Sequence, residues 1–102
     1  MKTFENTMKV NRMKFTAFTV PYCRLGKNYY HANVECEIEF QETIVDLLDI
    51  EAYFKGLNGA DLIDEELVAE VFKTLQDVYK PARLRVTVRT ASHFPLEITK
   101  EM

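Results

Sequence analysis

Apolar residues in the stretch 63–80 recur with helical spacing. Leu67, Val68, Val71, Phe72, Leu75 and Val78 form one broad stripe, and Glu66, Glu70, Lys73, Thr74, Gln76 and Asp77 form the opposite face. Asp64, Glu65 and Glu66 crowd the first turn, where the helix dipole favours negative charge, and Asp61 or Asp64 is the expected N-cap. Pro81 stops the helix, with Lys80 just before it suited to the C-terminal pole. Burying six such side chains contributes on the order of 10 kcal/mol, so this helix needs a larger apolar surface to lie on.

Strand patterns on both sides supply that surface. In residues 32–40, Ala32, Val34, Cys36, Ile38 and Phe40 alternate with Asn33, Glu35, Glu37 and Glu39: one face is core and the other carries a row of carboxylates. Residues 13–22 read as a strand with both faces at least partly covered, Phe15, Ala17 and Thr19 on one and Thr16, Phe18 and Val20 on the other, ended by Pro21. Gly26, Lys27 and Asn28 are the turn between these two strands, which form a hairpin. Residues 43–57 return to helical period through Ile44, Leu47, Leu48, Ile50, Phe54 and Leu57, with Thr43 as N-cap and Asn58-Gly59 as the stop. After Pro81, Leu84, Val86 and Val88 point in while Arg83, Arg85, Thr87 and Arg89 point out; a turn at Ala91, Ser92 and His93 leads to a last strand over 94–99. Residues 1–11 show no sustained period and are expected to be an irregular N-terminal arm preceding a domain over 12–102.

The element order is β-β-α-α-β-β, an α+β domain in which two helices cover one face of a four-stranded antiparallel sheet. The outward rows Glu35, Glu37, Glu39 and Arg83, Arg85, Arg89 carry opposite charge and can pair if their strands are neighbours. They form either a solvated face or the lining of a barrel closed by several subunits, which would also remove the two bare sheet edges.

Composition narrows the function classes. The 102 residues suit one domain, and a net charge of −3 lacks the basic surface that nucleic-acid binding needs. No apolar run has the length of a membrane span and no signal-peptide core is seen, so a cytoplasmic protein with two free thiols is expected. No metal-ligand spacing and no Gly-rich phosphate loop occurs.

This order is that of the tunnelling fold, and over residues 15–99 the chain resembles the nitrile reductases of queuosine biosynthesis, which reduce 7-cyano-7-deazaguanine with NADPH. The family's reactive cysteine falls on Cys23, the tyrosine of its first helix on Tyr53, and the glutamate of its His-Glu pair on Glu65. The resemblance therefore implies Cys23 as nucleophile, Glu65 and Tyr53 as contacts to a purine-like or pterin-like ring, and a homo-oligomer. Other positions depart from the pattern. The family's Glu-Ser-Lys-Ser-Leu-Lys stretch, linked to NADPH use, falls on Asp46, Leu47, Leu48, Asp49, Ile50 and Glu51, without either lysine. Its aspartate after the cysteine is Tyr30, its histidine is Asp64, and its proline is Arg24.

Cys23 stands beside Arg24 and near Lys27, a cationic setting that makes a thiolate available for addition to a nitrile. His31 is the candidate proton donor in place of the missing acid. Cys36 occupies an inward strand position and reads as packing. The plainer alternatives are an unreactive loop cysteine, helix-dipole compensation at Glu65, and a surface histidine at 31. Three functions remain open. The first is a nitrile-reductase-type enzyme, or an amidinotransferase-like relative that uses the cysteine without NADPH. The second is a non-catalytic ligand-binding or assembly protein. The third is a dihydroneopterin aldolase-like enzyme with Lys100 as its lysine.

Overall fold

The computed structural model describes residues 1–91 and 95–102, with the elements β1 (Thr3–Glu5), β2 (Arg12–Thr19), β3 (Tyr22–Cys23), β4 (Asn28–Tyr29), β5 (Ala32–Glu39), β6 (Thr43–Val45), α1 (Leu47–Gly56), α2 (Asp64–Tyr79), β7 (Arg83–Thr90) and β8 (Leu96–Glu101) in chain order. Alternation along β5 and β7 puts Val34, Cys36, Ile38, Leu84, Val86 and Val88 on one face, each no more than 1% exposed. The α2 stripe closes on that face through Leu67, Val68, Val71, Phe72 and Leu75, all buried. The principal sheet runs β2-β5-β7-β8, antiparallel at every joint, so the expected core fold of four strands and two helices on one face is what the chain adopts.

The charged rows pair within one subunit. β5 and β7 are neighbours with Glu37 opposite Arg85 and Glu39 opposite Arg83, giving ion pairs of 3.4 and 3.8 Å. Arg89 reaches Glu35 at 2.7 Å and Glu97 of β8 at 3.0 Å, tying three strands together on the face away from the helices.

Several local expectations are corrected. Part of the N-terminal stretch is regular: Thr3–Glu5 pairs with Thr43–Val45, and Asp46 N–H donates to the Lys2 carbonyl at 2.9 Å. That pairing draws residues 43–45 into an extended ribbon, so α1 starts three residues later than its apolar period suggests. Its N-cap is Asp46, whose carboxylate accepts from Leu48 N–H at 2.9 Å, and not Thr43. Of the apolar positions on α1, Ile50, Phe54 and Leu57 are buried, whereas Leu47 and Leu48 are exposed. The outer face of β2 is equally bare, for Phe18 is 74% exposed rather than partly covered. α2 is capped at Ile63 rather than Asp61 or Asp64, with Glu66 folding back to accept the Ile63 N–H at 3.1 Å. Lys80 turns into the left-handed region (φ 47°) and stops the helix before Pro81. Of the expected turn and last strand start at Ala91, Ser92, His93 and Phe94, residues 92–94 lie outside the described residues.

Asn58-Gly59 ends α1 as expected and also fastens it to the sheet. The Asn58 Oδ1 accepts from Val20 N–H at 2.8 Å and from Thr19 Oγ1 at 3.1 Å, and Gly59, at φ 77°, donates its N–H to the Val20 carbonyl at 2.9 Å. A side chain there would be strained, since only glycine adopts that conformation freely.

Tyr79, 1% exposed and stacked at 5.6 Å on Phe40, buries a hydroxyl that has no hydrogen-bond partner among the described residues. Leaving such a group unpaired costs about 1–3 kcal/mol. Tyr79→Phe is therefore expected to raise stability by about 1 kcal/mol, seen as a higher urea midpoint with an unchanged slope; an unchanged or lower midpoint would show that the hydroxyl is satisfied.

Candidate functional site

The turn between β2 and β5 does more than connect two strands. Tyr22 and Cys23 form β3 and pair with Tyr29 and Asn28 of β4, making a small hairpin whose tip reverses at Lys27 (φ 53°). The Tyr22 and Tyr29 rings meet edge to face at 5.2 Å. Cys23 is thus the end of a short strand and not a free loop residue; it is half-buried against the core, and the Gly26 N–H donates to its Sγ at 3.3 Å.

This hairpin is seated on the link between the helices. Tyr22 N–H donates to the Ala60 carbonyl at 2.8 Å, and Leu62 N–H donates to the Tyr22 carbonyl at 3.1 Å. Tyr30, 2% exposed, donates its N–H to the Pro21 carbonyl at 3.1 Å and its hydroxyl to the Leu62 carbonyl at 2.5 Å. Burial first, then the negative charges of Asp64, Cys23, Glu65 and Glu66, hold the Tyr30 phenol well above its usual range. Tyr30 thus ties the strand that carries Cys23 to the link that leads into α2. Tyr30 itself, at the position of the family's aspartate, is a structural post that is already hydrogen-bonded.

Arg24 clamps the hairpin to α2. Its Nη1 and Nη2 meet the two Glu66 oxygens at 2.6 and 3.0 Å, and Nη1 also reaches Asp61 at 3.4 Å. Such a two-pronged fork is the strongest geometry available to an arginine and a carboxylate. It follows that Arg24, expected to serve the Cys23 thiol, is committed to these two acids. Glu66 supplies the cap and the clamp, and this answers which of the two glutamates is structural. Glu65 is exposed and makes no hydrogen bond or ion pair among the described residues, so its carboxylate is open to a ligand.

The other expected site residues lie elsewhere. Tyr53 packs inward from α1, its ring 5.2 Å from Phe54. Burial pushes its phenol up to about 12, with Thr74 and Glu70 of α2 as its polar neighbours. His31 is exposed and lines a cleft of ≈ 490 Å³ together with Phe18, Thr19, Asn33, Asn58 and Arg89. Lys100 lies over the Phe72 ring at 5.1 Å, about two helical turns from Glu65. Cys36 is fully buried, and burial pushes its thiol up to about 12, as a packing cysteine requires. Residues 46–51 do not fit a phosphate-bearing cofactor: Asp46 caps α1, Asp49 accepts the Lys2 backbone N–H at 2.6 Å, and Glu51 pairs with Lys55 at 2.8 Å. An anionic ligand would meet three carboxylates there. Among the described residues no group of three or more His, Cys, Asp or Glu could hold a metal ion, and no helix is long and apolar enough to cross a membrane.

The Arg24 fork first, then the Ile63 N–H, holds the Glu66 carboxyl below the ordinary carboxylate range. A depressed folded-state pKa contributes stability that is present above the unfolded pKa and lost as pH falls through the folded one. Wild type is therefore expected to lose thermal stability on acidification through the carboxylate range. Glu66→Gln should start lower at neutral pH and show a shallower acid slope; parallel slopes would remove the clamp from the account.

No protein-family model and no curated protein matches the sequence. A solved structure does: "Crystal structure of the archaeosine synthase QueF-Like in the apo form", 15% identical, with a TM-score of 0.85 over 91% of this chain and 94% of that one. At that identity the likeness speaks for the fold. The chain has the tunnelling fold of that archaeosine synthase, with its β-β-α-α-β-β core arranged over nearly the whole length.

Proposed function

We propose that the protein binds a 7-deazaguanine-like ring beside the β3–β4 hairpin and that Cys23 attacks a nitrile carried by that ring. The observation that supports this best is that Tyr30 ties the β3–β4 hairpin, which carries Cys23, to the link leading into α2, which carries the open Glu65, on a fold shared with a protein named as an archaeosine synthase. Glu65 accepts hydrogen bonds from the N–H edge of the ring. The Cys23 sulfur adds to the nitrile carbon: a C–S bond forms, one C–N π bond is lost, and the thiol proton passes to the nitrile nitrogen to give a thioimide.

The acids at positions 46, 49 and 51 speak against a hydride donor bearing phosphates, so the thioimide is consumed by a nitrogen nucleophile and not by reduction. The product class is then an amidine, with the thiolate leaving and regaining its proton. A second reading has its own support. Tyr30 replaces the acid next to the cysteine and is already donating to Leu62, so the scaffold is also suited to binding a ring without chemistry.

Intact-mass measurement after incubation with 7-cyano-7-deazaguanine separates the two. Wild type is expected to gain the mass of the ligand, and Cys23→Ser is expected to gain nothing. A thermal shift without an adduct would leave the binder, and neither shift nor adduct would overturn both readings.

A further inference from the structure

The ends of β2 and β7 and the start of β5 surround the cleft of ≈ 490 Å³ that His31 lines. Pockets of about 300–1,000 Å³ are the size that holds small organic ligands. The register sets Phe18, Asn33 and Arg89 directly opposite one another, so their side chains share the face away from the helices. Phe18, largely exposed, gives the cleft an aromatic wall, and Val20 and Ala91 add to its apolar lining.

The polar part of the lining is rich in donors that nothing fills. Asn58 accepts twice at Oδ1, from Val20 N–H at 2.8 Å and from Thr19 Oγ1 at 3.1 Å. A backbone N–H can only donate, so this amide cannot be turned round, and its NH2 group has no partner among the described residues. Asn33 is unpaired at both ends: Oδ1 is buried without a partner, and Nδ2 makes no hydrogen bond among the described residues. Arg89 gives Nε to Glu97 at 3.0 Å and Nη1 to Glu35 at 2.7 Å, which leaves Nη2 over. One cation between two carboxylates makes the local balance negative, which disfavours an anionic ligand. A β-branched residue at position 33 would suit the strand better and bury no orphaned oxygen. Asparagine there breaks a local rule of the fold, as residues kept for binding do.

We propose that this cleft binds a small, neutral, planar carbonyl compound, an aromatic amide or lactam, flat against Phe18. Its carbonyl oxygen has two lone pairs and accepts from the NH2 groups of Asn33 and Asn58. Its ring packs on the exposed Phe18 side chain, offset or edge to face. A carboxylate of the same shape meets Glu35 and Glu97, and a plain hydrocarbon leaves the donors unfilled. Neither Cys23 nor Glu65 lines this cleft, so the proposal stands whether or not Cys23 is reactive.

The test is an NMR titration of the isotope-labelled chain with benzamide, benzoate and toluene, rings of similar size that differ in acceptor and charge. Benzamide is expected to move the side-chain NH2 signals of Asn33 and Asn58. Benzoate and toluene should each bind roughly tenfold more weakly or less well still. Asn33→Val should bind benzamide roughly threefold to tenfold more weakly, while its urea midpoint stays at or above that of wild type. A purely structural asparagine would give the reverse, a lower midpoint. Side-chain signals that do not move, benzoate or toluene binding as well as benzamide, a destabilised Asn33→Val, or unchanged affinity in that variant would each overturn the proposal.

Discussion

Everything at the candidate site depends on where α2 comes to rest. Leu67, Val71 and Leu75 are fully buried in the core between α2 and the sheet, where α2 packs on β7 and β8, and close packing there fixes how the helix sits. Once the stripe is seated, the first turn of α2 must emerge at the end of the sheet where β2 gives way to the β3–β4 hairpin. Glu66 then reaches back to the Ile63 N–H and across to Arg24, and the link 60–62 lies along Tyr22. The position of Cys23 is thus a consequence of core packing, transmitted through one salt-bridged fork and a few backbone hydrogen bonds.

The same helix start separates two neighbouring glutamates by role. Glu66 faces the hairpin and is consumed by structure; Glu65, one residue earlier and about 100° around the helix, is exposed and makes no hydrogen bond or ion pair among the described residues. An unfilled acceptor at the positive pole of a helix suits a neutral N–H donor edge, which brings no competing charge. The proposed purine-like ring offers such an edge.

Much of this was legible from residue order, and the limits are instructive. The α2 stripe, the alternation of β5 and β7 and the opposed charge rows depend on short-range period, which survives in any fold that uses those elements. What could not be read rests on distant partners. Thr43, Ile44 and Val45 fit a helical period as well as a strand, and only pairing with Thr3–Glu5, some forty residues away, decides the matter. Arg24 looked like a neighbour for the thiol because the two are adjacent in sequence, yet its partner is Glu66, separated by 42 positions. Tyr53 was grouped with Cys23 by the family pattern and His31 by its nearness in sequence; the structure turns Tyr53 toward α2 and places His31 on a cleft with Phe18 and Arg89. Cys23 and Glu65 were the two positions that kept the family's residue types; Tyr30 links the segments that carry them, by its N–H to Pro21 and its hydroxyl to Leu62.

The central proposal is that the open carboxylate of Glu65 anchors the ring. Calorimetric titration of wild type and Glu65→Gln with 7-cyano-7-deazaguanine tests it most directly. Hydrogen bonds to a charged group contribute about 1.5–3 kcal/mol, so the account predicts a loss of affinity of roughly tenfold to a hundredfold with folding unchanged. Equal affinity for the two proteins would contradict it and would move the ring, if it binds, away from the start of α2.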